Sequence, residues 1–198
     1  MSRTLDVHLD GVRAGTLTMT AGGALGFRYE ETYRAGADPT PLSLSMPLTS
    51  SVHEQRAVLP FLQGLLPDNE QALEAMARRF QVSARSPFAL LEHMGHDVAG
   101  ALQFVRPGEA SEDARADRSD LTPVDDQAIA DELLETIQAY RTGRPPAHVW
   151  GRISLAGAQP KIALVRAVDG SWLAPGRGVP TTHILKPSSR RPTSATPT

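Results

Sequence analysis

The stretch Thr4 to Met19, TLDVHLDGVRAGTLTM, decides the first half of the fold. Leu5, Val7 and Leu9 alternate with Asp6, His8 and Asp10, the period of two that a half-buried strand requires. Asp10-Gly11 offers the positive φ angles of a two-residue hairpin turn, and Val12 to Met19 supplies the return strand. After Gly22-Gly23, Leu25, Phe27 and Tyr29 again fall on alternate positions. The opening therefore predicts an antiparallel meander.

Beyond it the period changes. The prolines of PLSLSMPL, Pro41 to Leu48, make that run an edge or an extended loop. A helix is predicted over Glu54 to Leu65 despite Pro60, and a second within LLPDNEQALEAMARRF, where Asp68 stands three residues before Gln71 as in a capping box. Leu73, Met76, Ala77 and Phe80 share the core face of that second helix. SPFALLEHMG reads as a short helix stopped by Gly95, and VAGALQFV, Val98 to Val105, as a strand. The charged run PGEASEDARADRSD, residues 107 to 120, holds no apolar side chain larger than alanine and reads as a surface linker. Asp125 to Tyr140 regains helical spacing through Ile129, Leu133, Leu134 and Ile137, ended by Gly143 and Pro145-Pro146. From Trp150 the period of two returns through Ile153, Ile162, Leu164, Trp172 and Thr182 to Lys186. The final PSSRRPTSATPT cannot form a core.

The expected class is α+β: a β meander packed with helices, then a second β-rich unit. The expected boundaries are 1–106, a linker and helix at 107–148, the second unit at 149–187 and a tail at 188–198.

Composition narrows the function. With 40% hydrophobic residues a real core is affordable, and 20 basic against 22 acidic residues give no field that would draw in a phosphate polymer or an anionic membrane. Direct nucleic-acid binding is disfavoured. The absence of cysteine excludes disulfides, thiolate zinc sites and a cysteine nucleophile. No apolar run reaches the length of a membrane span, and MSRTLDVHLD lacks a signal-peptide core, so a cytoplasmic location is expected.

Two places could carry chemistry. GRISLAGAQPKIALV, residues 151 to 165, is not a Walker loop, because no lysine followed by serine or threonine comes directly after its last glycine. Two readings stay open. One is a small-residue turn between strands with a surface lysine, which spacing alone favours. The other is a kinase-style loop whose backbone approaches phosphates, with Lys186 of THILKP as the strand lysine that pairs with them. The second place is LEHMGHD, where Glu92, His93, His96 and Asp97 are metal-ligating types. With Gly95 ending the helix and no remote ligand evident, a packed helix terminus is the better reading, and no metal site is expected.

RISLAGAQPKIAL and the THILKP that follows resemble the start of the kinase core of HipA-type toxins, the serine/threonine kinases of bacterial toxin–antitoxin pairs. PLSLSMPL, FLQGLLPDNE and SPFALLEHMGHDVAGAL resemble, in the same order, the N-terminal region of that family. The resemblance implies roles. Ser154 matches the serine whose phosphorylation switches the kinase off. Ala156, Gly157, Ala158 and Gln159 match the loop over ATP, with Lys161 close behind, and Lys186 matches the lysine on the ATP phosphates. ATP and magnesium are the implied cofactors. The implied partners are a HipB-like antitoxin, through which alone nucleic acid would be met, and an intact HipA-like kinase. In the family the catalytic and metal-binding residues lie C-terminal to this lysine, whereas here a Ser/Thr/Arg tail follows Lys186-Pro187. The expectation is thus a truncated, catalytically inactive kinase with weak or absent ATP binding; the alternative is a non-catalytic interaction module.

Overall fold

The structure is a computed structural model, and it describes residues 2–95, 98, 102–108, 121–142, 159–175 and 181–187. The meander forms as expected: β1 (Arg3–Leu9), β2 (Val12–Met19) and β3 (Leu25–Tyr29) pair antiparallel in sequence. Asp10 and Gly11 turn the first hairpin with φ of 52° and 76°, both left-handed, which lets the turn follow the twist of the strands. Two further strands complete the sheet, β4 (Val52–Glu54) against β3 and β5 (Leu102–Val105) against β1, giving the order β4-β3-β2-β1-β5.

Four helices belong to this unit: α1 (Glu31–Arg34), α2 (Gln55–Gly64), α3 (Glu70–Phe80) and α4 (Pro87–Met94). Leu5, Val7, Leu17 and Phe27 of the sheet meet Val58 and Leu62 of α2 and Phe88, Leu90 and Leu91 of α4 in one core. Ser86 caps α4 by accepting from the Ala89 amide, and Pro87 suits its first turn. At its other end glycine is required by contact. A Cβ on Gly95 would meet the Leu91 carbonyl and lie 2.6 Å from the Phe104 Cβ, and the Gly95 carbonyl accepts from the Phe104 amide at 2.7 Å.

PLSLSMPL is a pinned loop. Met46 is buried, and the Tyr29 hydroxyl donates to the Met46 carbonyl at 2.8 Å while accepting from the Leu42 amide at 2.8 Å.

Four expectations shift. The cap of α3 is Asn69, whose side chain accepts from the Gln71 and Ala72 amides at 2.8 and 3.2 Å; Asp68 lies one residue before it. His8 is buried, because a register shift between Val7 and His8 interrupts the simple alternation of β1. β5 begins at Leu102, with Val98 forming an isolated bridge to it. In the later helix, α5 (Asp126–Thr142), Leu134 is exposed while Glu132 and Thr136 are buried, so the inward stripe differs from the apolar one.

The second sheet contains β6 (Thr122–Val124), β7 (Ile162–Arg166), β8 (Trp172–Ala174) and β9 (His183–Leu185) in the order β6-β8-β7-β9. Ile129 of α5 packs on Ile162 and Leu164 in a separate small core. The linker residues 109–120, the helix stop at 143–146, Trp150 with Ile153, and the tail at 188–198 lie outside the described residues. Among the described residues no helix is long and apolar enough to cross a membrane.

Candidate functional site

β7 and β9 build the site. Ile162, Ala163 and Leu164 are all buried, which fixes β7 against its neighbours. β9 runs antiparallel to it with Ile162 opposite Leu185, Ala163 opposite Ile184 and Leu164 opposite His183. The far end of this pair is locked. The Thr182 amide donates to the Leu164 carbonyl at 3.0 Å, and the Thr182 Oγ1 accepts from the Arg166 amide at 2.8 Å. The Arg166 guanidinium lies 4.3 Å from the Trp172 ring centre, and Trp172 meets His183 edge-on.

At the near end the same register, carried one residue outward, sets Lys161 across from Lys186. Directly opposed residues of an antiparallel pair have Cβ atoms about 5 Å apart and project to the same face. Lys161 is half-buried and Lys186 exposed. Burial, reinforced by the positive charge of Lys186, holds the Lys161 ammonium below the ordinary lysine pKa, and the negative charge of Asp68 works against both. The charges of Lys186, a candidate lysine, and of Asp68, read from the sequence as a helix cap, thus act on Lys161 from distant parts of the chain. No spacing pattern marks Asp68 for this role.

Of the other candidates, Gln159 is exposed in a bend just before Lys161, and Ser154, Ala156, Gly157 and Ala158 lie outside the described residues. The LEHMGHD cluster is engaged otherwise. Glu92 pairs with Arg3 and, at 3.6 Å, with Arg106; His93 stacks on Phe80 with ring centres 5.1 Å apart. His96 and Asp97 lie outside the described residues. Among the described residues no group of three or more His, Asp or Glu side chains is placed to hold a metal ion.

Two ammonium groups near one end of a strand pair are donors of the kind that an anion bearing several oxygens takes. The donor set fits the phosphates of a nucleotide. It does not fit magnesium, for which these residues offer no ligands.

Residues 5–105 match the family model described as the HipA N-terminal domain. The chain belongs to the HipA family. It is 38% identical over 191 residues to the putative kinase Y4mE of Sinorhizobium fredii, covering 96% of this chain and 44% of that protein. To the serine/threonine-protein kinase toxin HipA of Shewanella oneidensis it is 30% identical over 188 residues, covering 92% of this chain and 40% of the toxin. A solved complex of HipA, HipB and operator DNA from Shewanella oneidensis MR-1 superposes with a TM-score of 0.62 at 27% identity, over 91% of this chain and 39% of that one. This HipA-family chain thus spans about two fifths of the length of these relatives. The matched region covers 91% of this chain, so the α+β class follows the family.

Proposed function

We propose that this chain carries the phosphate-facing part of a HipA-type serine/threonine kinase toxin. Lys161 and Lys186 take the phosphates of ATP, and Ala156, Gly157, Ala158 and Gln159 are the nucleotide-covering residues by their resemblance to the family. Ser154 is the position at which phosphorylation turns the site off, since a phosphoserine adds roughly −1.5 to −2 charges where the nucleotide phosphates must sit. The observation that carries this reading is the β7–β9 register, which pairs Ile162 with Leu185 and so brings together the strand ends next to Lys161 and Lys186. Magnesium, when bound with the nucleotide, offsets charge on the transferring phosphoryl group.

Phosphoryl transfer asks for more than these phosphate-facing residues. In-line transfer needs a carboxylate to orient the attacking hydroxyl and others to hold the metal, in the chain order of a kinase after the strand lysine.

The test is calorimetric titration of the purified polypeptide with ATP and magnesium, alongside incubation with labelled ATP and mass spectrometry of the Ser154 peptide. Weak binding that is lost in Lys186→Ala, with no label on Ser154, is expected. Stoichiometric label on Ser154 with no other kinase present, or binding indifferent to both lysines, would sink the reading.

A second reading is favoured by the separate core of the N-terminal unit and by the solved relative's capture with HipB and DNA. In it the chain docks on a HipB-like antitoxin or on an intact HipA-like kinase and needs no nucleotide. Co-purification with each of these partners, unaffected by Lys186→Ala, is what this alternative requires.

A further inference from the structure

At the end of β7 away from the lysines, Arg166 is exposed, and among the described residues no carboxylate pairs with it. By the alternation of β7 it falls on the face of Ile162 and Leu164, where Trp172 also packs, whereas Lys161 falls on the other face. Its guanidinium is nevertheless held. It lies 4.3 Å from the Trp172 ring centre, and a Cβ built on Gly170 would come within 3.6 Å of its Nη2, so the side chain is laid back over the β7–β8 turn. Trp172 is braced in turn by His183, edge-on at 5.3 Å between ring centres. Thr182 Oγ1 accepts from the Arg166 amide and lies 2.8 Å from His183 Nδ1, which ties the backbone of the arginine to the ring that braces its indole. Asp169, the acidic residue of the turn, is engaged within it. Its carboxylate accepts from the Ser171 amide at 2.9 Å and from the Ser171 hydroxyl at 2.7 Å.

A guanidinium stacked on an indole is satisfied over its face alone. Its N–H groups project in the plane of the group, in the fork that matches a carboxylate. Packing therefore uses the stem and the face of Arg166 and leaves its fork unused.

We infer that Arg166, flat on Trp172, is a docking point for an acidic segment of a partner protein, which seats one glutamate or aspartate carboxylate on the guanidinium fork. Charge complementarity selects that occupant. One guanidinium balances one carboxylate, whereas a phosphate dianion would keep a charge unmet. Val168, fully exposed in the same turn, adds an apolar neighbour that a peptide can cover and a free phosphate cannot. Because the lysines lie at the other end and on the other face, the inference does not rest on their reading as a phosphate site.

The test uses the full 198-residue chain and a blocked pentapeptide in which glutamates flank a central leucine, followed by NMR at the Arg166 Nε–H and the Trp172 indole N–H. Arg166→Met keeps an apolar stem over the indole and removes charge and fork. It should weaken binding by about three- to fivefold at low salt, with the gap narrowing as salt is added, and should leave the backbone amide signals of β7 to β9 in place. Arg166→Lys, which keeps the charge without the fork, should restore only part of the loss. Arg28→Met, removing an exposed guanidinium from β3, should change nothing. A glutamine version of the peptide should bind more weakly than the glutamate one.

Equal binding by the parent and Arg166→Met removes the docking point and leaves Arg166 as a cover for the indole, as does failure of the parent to bind the peptide. An equal loss in Arg28→Met reduces the effect to net charge. Inorganic phosphate shifting the Arg166 Nε–H as strongly as the peptide at matched ionic strength would make this a general anion site and overturn the acidic-segment reading. If Arg166→Met disturbs the β7 to β9 signals, the peptides decide with the parent alone: glutamate and glutamine versions binding alike refute the inference.

Discussion

Replacing Tyr29 by phenylalanine isolates the polar contribution that holds the PLSLSMPL loop to the sheet. Tyr29 is buried at the end of β3, and its ring contacts survive the change: edge-on to Phe27 at 4.8 Å and to His53 at 5.6 Å between ring centres. What disappears is the hydroxyl, and with it the donor to the Met46 carbonyl and the acceptor for the Leu42 amide. Met46 is fully buried, so its carbonyl pays the desolvation of an unmet acceptor, about 1–3 kcal/mol. The Leu42 amide is partly exposed and can turn to water, which limits its loss to about 0.5–1 kcal/mol. The sum, about 1.5–4 kcal/mol, should lower amide protection in β1 to β3 by about ten- to 900-fold in native-state hydrogen exchange. Protection of the loop at residues 41–48 should fall at least as far. There is an alkaline signature as well. Burial is the main cause that raises the Tyr29 pKa, so the folded state keeps the phenol neutral when the unfolded chain has begun to lose its proton. The resulting stability is fully present below about pH 10 and is lost as pH rises through the folded value, a dependence that Tyr29→Phe should lack. A change under about 0.5 kcal/mol, with loop exchange unaltered, would show that the hydroxyl does not anchor this loop.

Two further outcomes are expected of the same unit. Gly95→Ala drives a methyl group toward the Leu91 carbonyl and the Phe104 Cβ, and should lower the urea midpoint by an amount equivalent to about 1–3 kcal/mol without changing the slope of the transition; an unchanged midpoint would mean that α4 and β5 separate freely. Burial, helped by Arg13 and opposed by Asp6, holds the His8 imidazole below its ordinary pKa, so the unfolded chain takes up the proton first. Stability should be intact above about pH 6.5 and decline as pH falls through the folded value. Chemical denaturation between neutral pH and pH 5 should show a smaller decline in His8→Gln, with some remaining because His93 is shifted the same way.

The meander was legible because everything that specifies it is local: side-chain alternation, and an aspartate-glycine pair able to adopt positive φ. What escaped had non-local causes. β4 and β6 have three residues each, too few for a period to register, and exist because β3 and β8 offer them an edge. The burial of His8 follows from a register shift, which depends on how β2 lies beside β1 and not on the residues of β1 alone. In α5 the inward stripe includes Glu132 and Thr136, polar residues that a search for apolar periodicity passes over, while Leu134 counts toward the pattern and faces water.

The candidate residues were legible as a list and illegible as an arrangement. Lys161 and Lys186 stand in separate motifs, and their encounter is created by the pairing of β7 with β9, a register that buried Ile162 and Leu164 and the Thr182 hydrogen bonds impose. The misplaced helix cap belongs to the same argument. Aspartate and asparagine are nearly equivalent as caps, so the pair Asp68-Asn69 cannot be resolved by propensity, and the spacing to Gln71 favoured the wrong member. In the fold Asn69 adopts the extended cap geometry, with φ of −85° and ψ of 113°, and meets both amides by itself. A second cap former beside it is then redundant for α3.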